Sequence, residues 1–190
     1  MNFNKILFIG PEDTYGGMGA VLKIYRDYID DFQFIATYPT KGEKSIISHF
    51  VKSFFFISQF LIIHPQITCL HIHSASRGSY LRKMIIAYLG KFFGKKIIFH
   101  IHAGYFDQFY NNAGLFRKLI KRQLRRMDKV ICLTDNWYDY FTNELGLQNV
   151  EVLGNPITLH SNPRAHSEKG ILTLLYLGNL SRSEERRVGK

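Results

Sequence analysis

Three glycines lie where an apolar, strand-like run gives way to a helical pattern near the start of the chain: Gly16, Gly17 and Gly19. Glycines at such a junction expose backbone N–H groups, and the positive end of the helix dipole points at the same place. The pattern therefore predicts a site for an anion such as a phosphate. The spacing fits neither a dinucleotide fingerprint nor a P-loop. A tight turn that binds nothing is the alternative.

Four histidines alternate with apolar residues in two further strand-like runs, His71 and His73 in one, His100 and His102 in the other. Residues two apart on a strand share a face, so each pair has a spacing that could chelate a metal. No carboxylate or thiolate completes a zinc set, so we expect no metal. His73 and His102 stand at predicted strand ends, where an imidazole can donate a hydrogen bond or take up a proton. His71 and His100 are expected to lie deeper.

The elements that must position these residues alternate between strand and helix. Apolar periods predict strands at 5–10, 32–37, 67–73, 96–102, 129–134 and 150–153, and helices at 17–29, 43–63, 80–93, 115–127 and 135–145. This order predicts an α/β fold, a Rossmann-like parallel sheet with helices on both faces. Ligands of such sheets bind beyond the carboxyl ends of the strands. Gly10, Ser74 and His102 fall at such ends.

Basic residues are concentrated in one part of the chain. The net charge is +10, and the stretch from Arg77 to Arg126 holds twelve Lys or Arg residues against one acid, Asp107. The predicted helix at 115–127 carries an apolar stripe with cations on its other face. Such a helix is typical of contact with an anionic membrane surface, and the alternative is an ordinary solvated face. We find no nucleic-acid-binding motif and expect no nucleic acid partner.

Cysteine usage and the first residues indicate the compartment. Cys69 and Cys132 fall in apolar runs and are expected to be reduced thiols. The chain starts without an apolar leader pattern, which predicts a cytoplasmic protein. The longest apolar stretch, Phe54–Ile63, is about half the roughly 20 residues of a spanning helix. We therefore expect peripheral contact with the inner face of the membrane rather than a span.

The sequence changes character after residue 157. Residues 1–157 form the predicted N-terminal Rossmann-like domain, and the polar stretch 158–170 has the composition of a linker. Residues 171–181 predict one further strand, the start of a second domain that is cut short. Residues 182–190 lose all apolar periodicity and are expected to be a non-native tail.

Five segments, in this order and spacing, resemble the N-terminal half of a family 4 glycosyltransferase of the GT-B fold. They are Lys5–Gly10 with the glycines at 16–19, His71-Ile72-His73-Ser74, the run from Ile98 to Gly104, Val130–Thr134, and Val152–Pro156. The resemblance implies transfer of a sugar, with retention, from a nucleotide diphosphate sugar to an acceptor. It also implies two Rossmann-like domains that face each other across a cleft, the N-terminal one shaping the acceptor site.

The resemblance implies roles for particular residues. Gly16 and Gly17 match the loop that approaches the donor diphosphate, and His102 matches a catalytic histidine at the reaction centre. On the acceptor side, the positions of four residues beside the predicted strand ends favour contact with the acceptor; they are His73, Ser74, Arg77 and Tyr105. Surface solvation is the alternative for Arg77, and loop packing is the alternative for Tyr105.

The resemblance also bears on cofactors and substrates. It implies no metal or other cofactor, and a glycan or lipid-linked acceptor used in cell-surface polysaccharide synthesis. Asn179 stands where the family commonly has Arg, and Glu184-Glu185 stand where Lys-Gly is expected. With the donor-binding half missing, we expect residues 1–190 to be inactive alone. The alternative function is a non-catalytic module that docks on a membrane or a partner through its basic surface.

Overall fold

The computed structural model describes residues 3–11, 17–38 and 45–158. Backbone proximity divides the chain into one unit at Met1–Thr158 and another at Leu159–Lys190. The second unit lies outside the described residues. The predicted strand at 171–181, the tail at 182–190 and nearly all of the predicted linker lie there with it.

Six strands form one sheet in which every neighbouring pair is parallel. The order across the sheet is β2-β1-β3-β4-β5-β6. The predicted α/β, Rossmann-like fold is confirmed, and each predicted strand is present with bounds that differ by up to two residues. The strands are β1 (Ile6–Gly10), β2 (Gln33–Ala36), β3 (Cys69–Ser74), β4 (Lys96–Ile101), β5 (Lys129–Cys132) and β6 (Val150–Val152).

The helices connect successive strands. They are α1 (Gly17–Tyr28), α2 (Ile46–Ile63), α3 (Gly78–Phe92), α4 (Phe106–Asn111), α5 (Phe116–Arg125) and α6 (Asp135–Asp139), which continues into a π-helical turn at Tyr140–Glu144. The Ser45 hydroxyl caps α2 by accepting a hydrogen bond from the Ser48 N–H at 3.2 Å. Helix α4 lies between the predicted strand at 96–102 and the predicted helix at 115–127, where apolar periodicity predicts no helix. The Thr134 side chain caps α6 by accepting a hydrogen bond from the Trp137 N–H.

The two faces of the sheet are covered differently. Side chains alternate between faces along a strand, so Leu7 and Ile9 lie on the face opposite Phe8. Leu7 and Ile9 belong to a buried apolar cluster that includes Ile57 of α2, Tyr80 of α3 and Ile120 of α5. These three helices therefore cover one face, which we call the apolar face.

Helix α1 covers part of the other face, where Tyr25 meets the ring of Phe8 edge to face at a centroid distance of 5.9 Å. Val21 and Leu22 of the same helix are buried. We call this second face the imidazole face, because His71, His73, His100 and His102 alternate with the apolar-face residues Leu70, Ile72, Phe99 and Ile101 along β3 and β4.

Two glycines allow helices to approach the sheet closely. A Cβ at Gly90 of α3 would lie 2.4 Å from Leu70 Cδ1 and 2.7 Å from Ile97 Cδ1. A Cβ at Gly10 would lie 2.4 Å from Leu22 Cδ1 of α1. Any side chain at either position must displace buried neighbours. These contacts fix α1 and α3, the helices whose first residues flank the carboxyl edge of the sheet.

Helix α2 (Ile46–Ile63) agrees with the predicted helix at 43–63 and is longer than the apolar stretch Phe54–Ile63 within it. Among the described helices, it is long and apolar enough to cross a membrane by length and composition. In this fold it lies on the sheet, with Ile57 and Leu61 buried. The Ser53 hydroxyl donates to the carbonyl of Ala36 at the end of β2, at 2.9 Å. The helix is therefore held on the sheet by one of its sides, and its other side faces outward.

Candidate active site

The carboxyl ends of β1, β3 and β4 lie at one edge of the sheet, because all three strands are parallel and adjacent. Gly10 ends β1, and α1 begins at Gly17 on the same edge. His102 directly follows β4, and its backbone N–H donates to the carbonyl of Ser74 at 2.7 Å. The structure therefore brings Gly17 and His102 to the same edge, as the sequence analysis expected. Gly16 lies outside the described residues.

Gly17 is exposed as the first residue of α1. A Cβ built there would meet no heavy atom within 4 Å. Packing therefore does not require glycine at this position, in contrast to Gly10 and Gly90. The dipole of this twelve-residue helix favours an anion near its first backbone N–H groups.

Four imidazoles form one stack on the imidazole face. Neighbouring ring centroids lie 4.0 Å apart for His100 and His102 and 4.4 Å apart for His71 and His73. Two hydrogen bonds cross between the strands. One joins His71 Nε2 and His100 Nδ1 at 3.3 Å, and the other joins His73 Nδ1 and His102 Nε2 at 2.8 Å.

Burial keeps these four imidazoles neutral. His71, His73 and His100 are buried, whereas His102 is half-buried at the edge of the sheet. Burial lowers the pKa of His71 to about 3 and of His100 to about 2. Burial also lowers the pKa of His102 to about 4, and a hydrogen bond from the His102 ring to the side chain of Asn155 raises that pKa by a smaller amount. Burial holds the pKa of His73 well below its ordinary value, followed by repulsion from the other three imidazoles and Lys83.

Three of these imidazoles resemble a metal-binding set. One ring nitrogen from each of His71, His73 and His100 lies within 4.8 Å of the others, and zinc accepts three histidines. The burial that disfavours charged imidazoles also disfavours a bare cation. No carboxylate is part of this described cluster. The expectation that the site needs no metal stays a prediction.

The structure separates the four predicted acceptor residues into two kinds. His73 and Ser74 are 0% exposed, so an acceptor at the edge of the sheet does not reach their side chains in this structure. The Ser74 hydroxyl donates to the carbonyl of Ala75 at 2.9 Å. Arg77 and Tyr105 are exposed beside the same edge, and Arg77 has a positive φ of 56° just before α3. Contact with an acceptor is open to Arg77 and Tyr105 and closed to the other two.

Lys83 of α3 is a buried cation, with its side chain only 4% exposed. The charge pattern of the sequence does not separate it from the solvated lysines around it. Burial lowers the pKa of Lys83 to about 7, with a further contribution from Arg82. A signal was present in the sequence, because Lys83 falls at helical spacing with Tyr80, Met84 and Ala87 on the buried side of α3.

The two cysteines are free thiols, as expected. Cys132 is buried and Cys69 is half-buried. Burial raises the pKa of each thiol to about 11. At neutral pH neither forms the reactive thiolate.

A six-stranded parallel sheet with a helix N-terminus and an imidazole at its carboxyl edge defines a Rossmann-like α/β domain, a fold whose ligands bind at that edge as a rule. Residues 31–161, more than half of the chain, match the family model described as Glycosyltransferase Family 4. The chain therefore belongs to glycosyltransferase family 4, and its sheet is the N-terminal half of a GT-B fold. Its substrates are a sugar donor and an acceptor. No curated protein matches the chain.

Proposed function

We propose that this domain is the acceptor-side half of a retaining glycosyltransferase. The enzyme transfers a sugar from a nucleotide diphosphate sugar to a glycan or lipid-linked acceptor in cell-surface polysaccharide synthesis. The observation that carries the proposal is the position of His102, a half-buried imidazole at the same sheet edge as the N-terminus of α1. The reaction uses no metal or other cofactor.

Each group at this edge has a distinct part in the proposed reaction. The N–H groups at Gly17 and the dipole of α1 attract the donor diphosphate. His102 is neutral at pH 7, so it can hydrogen-bond a sugar oxygen. Arg77 and Tyr105 supply a cation and an aromatic ring to the acceptor side.

Replacing His102 tests the catalytic part of the proposal. In an enzyme that joins this domain to a donor-binding domain, His102→Ala should reduce turnover by roughly 100-fold or more with the fold unchanged. His64→Ala is the matched control, because His64 lies beyond the other edge of the sheet, between α2 and the start of β3. Turnover near that of the wild type, with both substrates saturating, would remove His102 from the mechanism.

Replacing Gly17 tests the donor site. Gly17→Val should raise the KM for the donor by blocking close approach of the diphosphate, and Gly17→Ala should do so less. The melting temperature should stay constant, because the new side chain meets nothing within 4 Å. Unaltered use of the donor by both variants would mean that the glycine only permits a turn.

We also propose that α2, α3 and α5, the helices that cover the apolar face of the sheet, contact the cytoplasmic side of an anionic membrane through their outward sides. Helices α2, α3 and α5 contain no Asp or Glu, and α5 carries Arg117, Lys118, Lys121, Arg122 and Arg125. Their outward sides expose apolar side chains to an extent beyond the scattered apolar residues of ordinary surfaces. These include Ile47, Val51, Phe55, Phe56, Ile62 and Ile63 of α2, Leu81, Ile85 and Phe92 of α3, and Phe116 and Leu119 of α5.

Vesicle binding tests the membrane part. Purified residues 1–190 should sediment with vesicles that contain phosphatidylglycerol and much less with phosphatidylcholine alone. Phe55→Ser with Phe56→Ser should weaken sedimentation. Tyr28→Ser should not weaken sedimentation, because Tyr28 is more exposed than either phenylalanine, at 72%, but lies on α1, across the sheet. Equal sedimentation of all three proteins would refute docking through α2.

The alternative function, a non-catalytic docking module, predicts a different combination of results. It requires vesicle binding by the chain together with no sugar transfer by the joined two-domain protein, over a panel of nucleotide diphosphate sugars. Sugar transfer that depends on His102 excludes it.

A further inference from the structure

His73 lies directly behind His102, away from the exposed edge of the sheet. Its Nδ1 is 2.8 Å from Nε2 of His102, and the two rings stack with centroids 5.0 Å apart. His73 is 0% exposed, whereas His102 is half-buried. A ligand at the edge therefore reaches His102 and not its partner. The contact with His73 occupies Nε2 of His102. Any other hydrogen-bond partner of the His102 ring must therefore bind at its Nδ1.

A hydrogen bond between two neutral imidazoles requires one donor nitrogen and one acceptor nitrogen. The side chain of Asn155 also hydrogen-bonds His102, and this contact raises the pKa of His102. An amide oxygen that accepts from a ring N–H has that effect, since it favours the protonated ring. With Nε2 facing His73, the N–H that Asn155 accepts from is at Nδ1. The neutral ring then has its lone pair on Nε2.

The unpartnered atoms agree with this arrangement. Nε2 of His73 is buried and has no hydrogen-bond partner among the described residues. If His73 accepted from His102, its proton would sit on this Nε2 as a buried, unpaired N–H, an arrangement that folded proteins rarely tolerate. If His73 donates from Nδ1, the unpaired atom is a bare nitrogen instead.

We propose that His73 is a positioning residue that donates a hydrogen bond from Nδ1 to Nε2 of His102 and so fixes His102 as the tautomer that carries its proton on Nδ1. The proposal rests on the proposed function for its consequence. The N–H of His102 then lies at Nδ1, where Asn155 accepts it, so a ligand that shares this N–H or takes the place of Asn155 meets a donor rather than a lone pair. The ligand atom that it recognises is therefore an accepting oxygen, either of a sugar or of a phosphate group, and His102 acts as a hydrogen-bond donor and not as a general base.

The second histidine pair supplies a matched control within the same cluster. His71 is on the same strand and the same face as His73 and is also buried. Its hydrogen bond goes to His100 and not to His102. A general loosening of the imidazole stack would follow from replacement of either residue, whereas a positioning effect on His102 would follow from replacement of His73.

Side-chain ¹⁵N NMR of purified residues 1–190 reads the tautomer directly and does not depend on activity. In the wild type, His102 should show one nitrogen typical of N–H at Nδ1 and one typical of a bare nitrogen at Nε2. His73→Leu should move both signals toward a common averaged value. His73→Asn should keep them apart, because the asparagine amide can donate from near the position of Nδ1. His71→Leu should leave them unchanged.

Three results would overturn the proposal. They are a wild-type His102 whose proton is on Nε2, a His73→Leu protein whose His102 signals match the wild type, and a His71→Leu protein whose His102 signals move as far as those of His73→Leu. Folding of each variant is checked by its amide spectrum. If His73→Leu does not fold, the wild-type tautomer and His73→Asn still decide the question.

A kinetic readout in the two-domain enzyme separates this proposal from the proposed function. His73→Leu should lower kcat at least tenfold, and His73→Asn should restore most of it. If the NMR results hold while His102→Ala transfers sugar normally, the tautomer assignment stands and the catalytic role of His102 fails. If His102→Ala is inactive and His73→Leu retains a wild-type kcat, the positioning role fails and the catalytic role stands.

Discussion

The two faces of the sheet are built from opposite chemistry. The apolar face holds a continuous cluster of aliphatic and aromatic side chains under α2, α3 and α5, from Leu7 of β1 to Val150 of β6. The imidazole face holds four histidines under and beside α1, within hydrogen-bond and stacking distance of one another. Both faces are close-packed, but only the apolar face gains most of its free energy from removing carbon from water.

Within one sheet, the apolar face therefore supplies most of the folding stability, and the imidazole face carries the groups proposed for ligand chemistry. On the apolar face, each buried side chain lowers the free energy of the folded state whatever the pH. On the imidazole face, burial forces the rings to be neutral, so folding is tied to pH. The same burial holds His102 neutral at the ligand edge.

Acid should destabilise the protein through the imidazole face. The folded-state pKa is about 3 for His71 and about 2 for His100, both below the ordinary value of 6.5 that applies to the unfolded chain. The unfolded chain therefore binds more protons below pH 6.5, and stability falls as the pH falls. Each buried imidazole should remove about 2 kcal/mol between pH 7 and pH 5, and the cluster several kcal/mol in total.

Urea unfolding at pH 7, 6 and 5 measures this slope. Burial raises the pKa of Asp128, but hydrogen bonds from Lys91 and the Ile97 N–H outweigh it and lower the pKa overall. Asp128 therefore stays ionised from pH 7 to pH 5 and should not contribute to the slope. A free energy of unfolding that is constant from pH 7 to pH 5 would contradict the assignment of neutral imidazoles.

Truncation on the apolar face should be costly at every pH. Phe99 is fully buried in β4, where its ring meets Tyr80 edge to face at a centroid distance of 5.7 Å. Phe99→Ala should lower the free energy of unfolding by about 3–5 kcal/mol, because it leaves a cavity. Phe92→Ala is the control, since Phe92 is 84% exposed. If the loss of unfolding free energy in Phe99→Ala depended on pH, it would contradict the claim that stability on the apolar face is independent of pH.

Lys83 is a charged group buried within this domain, and removing its charge should stabilise the fold. Its pKa is about 7 when folded, below the ordinary 10.5. The penalty is therefore full below pH 7 and disappears as the pH rises through 10.5. Lys83→Met should raise the free energy of unfolding by up to about 4 kcal/mol at pH 7 and by less at pH 9.

Thermal or urea unfolding of Lys83→Met at both pH values measures this effect. Lys91→Met is the control, because Lys91 is partly exposed and pairs with Asp128, so its loss should change stability little. A gain for Lys83→Met that is the same at pH 7 and pH 9 would show that packing, and not charge, is responsible.

The smallest expected effect comes from the pair His71 and His100, replaced together. His71→Leu leaves His100 Nδ1 without its partner and should cost about 1–3 kcal/mol at pH 7. The double variant His71→Leu with His100→Leu should recover most of that loss, because both polar groups are gone. It should also flatten the acid slope. A double variant that is no more stable than the single one would show that the imidazoles stabilise the fold as a unit.

Local pattern was sufficient for the order of elements. Apolar periodicity placed the six strands and the main helices within a few residues, because sheet and helix burial each impose a fixed repeat. It failed at α4, a six-residue helix at Phe106–Asn111 that is too short to show a helical period. The helical spacing of Lys83 with Tyr80 and Met84 is compatible with burial, but lysine is usually solvated, so its burial is evident only from the tertiary structure.

The order of strands along the chain is enough to predict that Gly17 and His102 lie at one edge, because parallel strands align their carboxyl ends. It did not determine which histidine a ligand would reach. Both His73 and His102 are at predicted strand ends in the sequence. The pairing of β3 with β4 beneath α1 buries His73 and leaves His102 half-exposed. Burial and hydrogen-bond partners depend on residues far apart in the chain, such as His73, His102 and Asn155. Local periodicity carries no information about such distances.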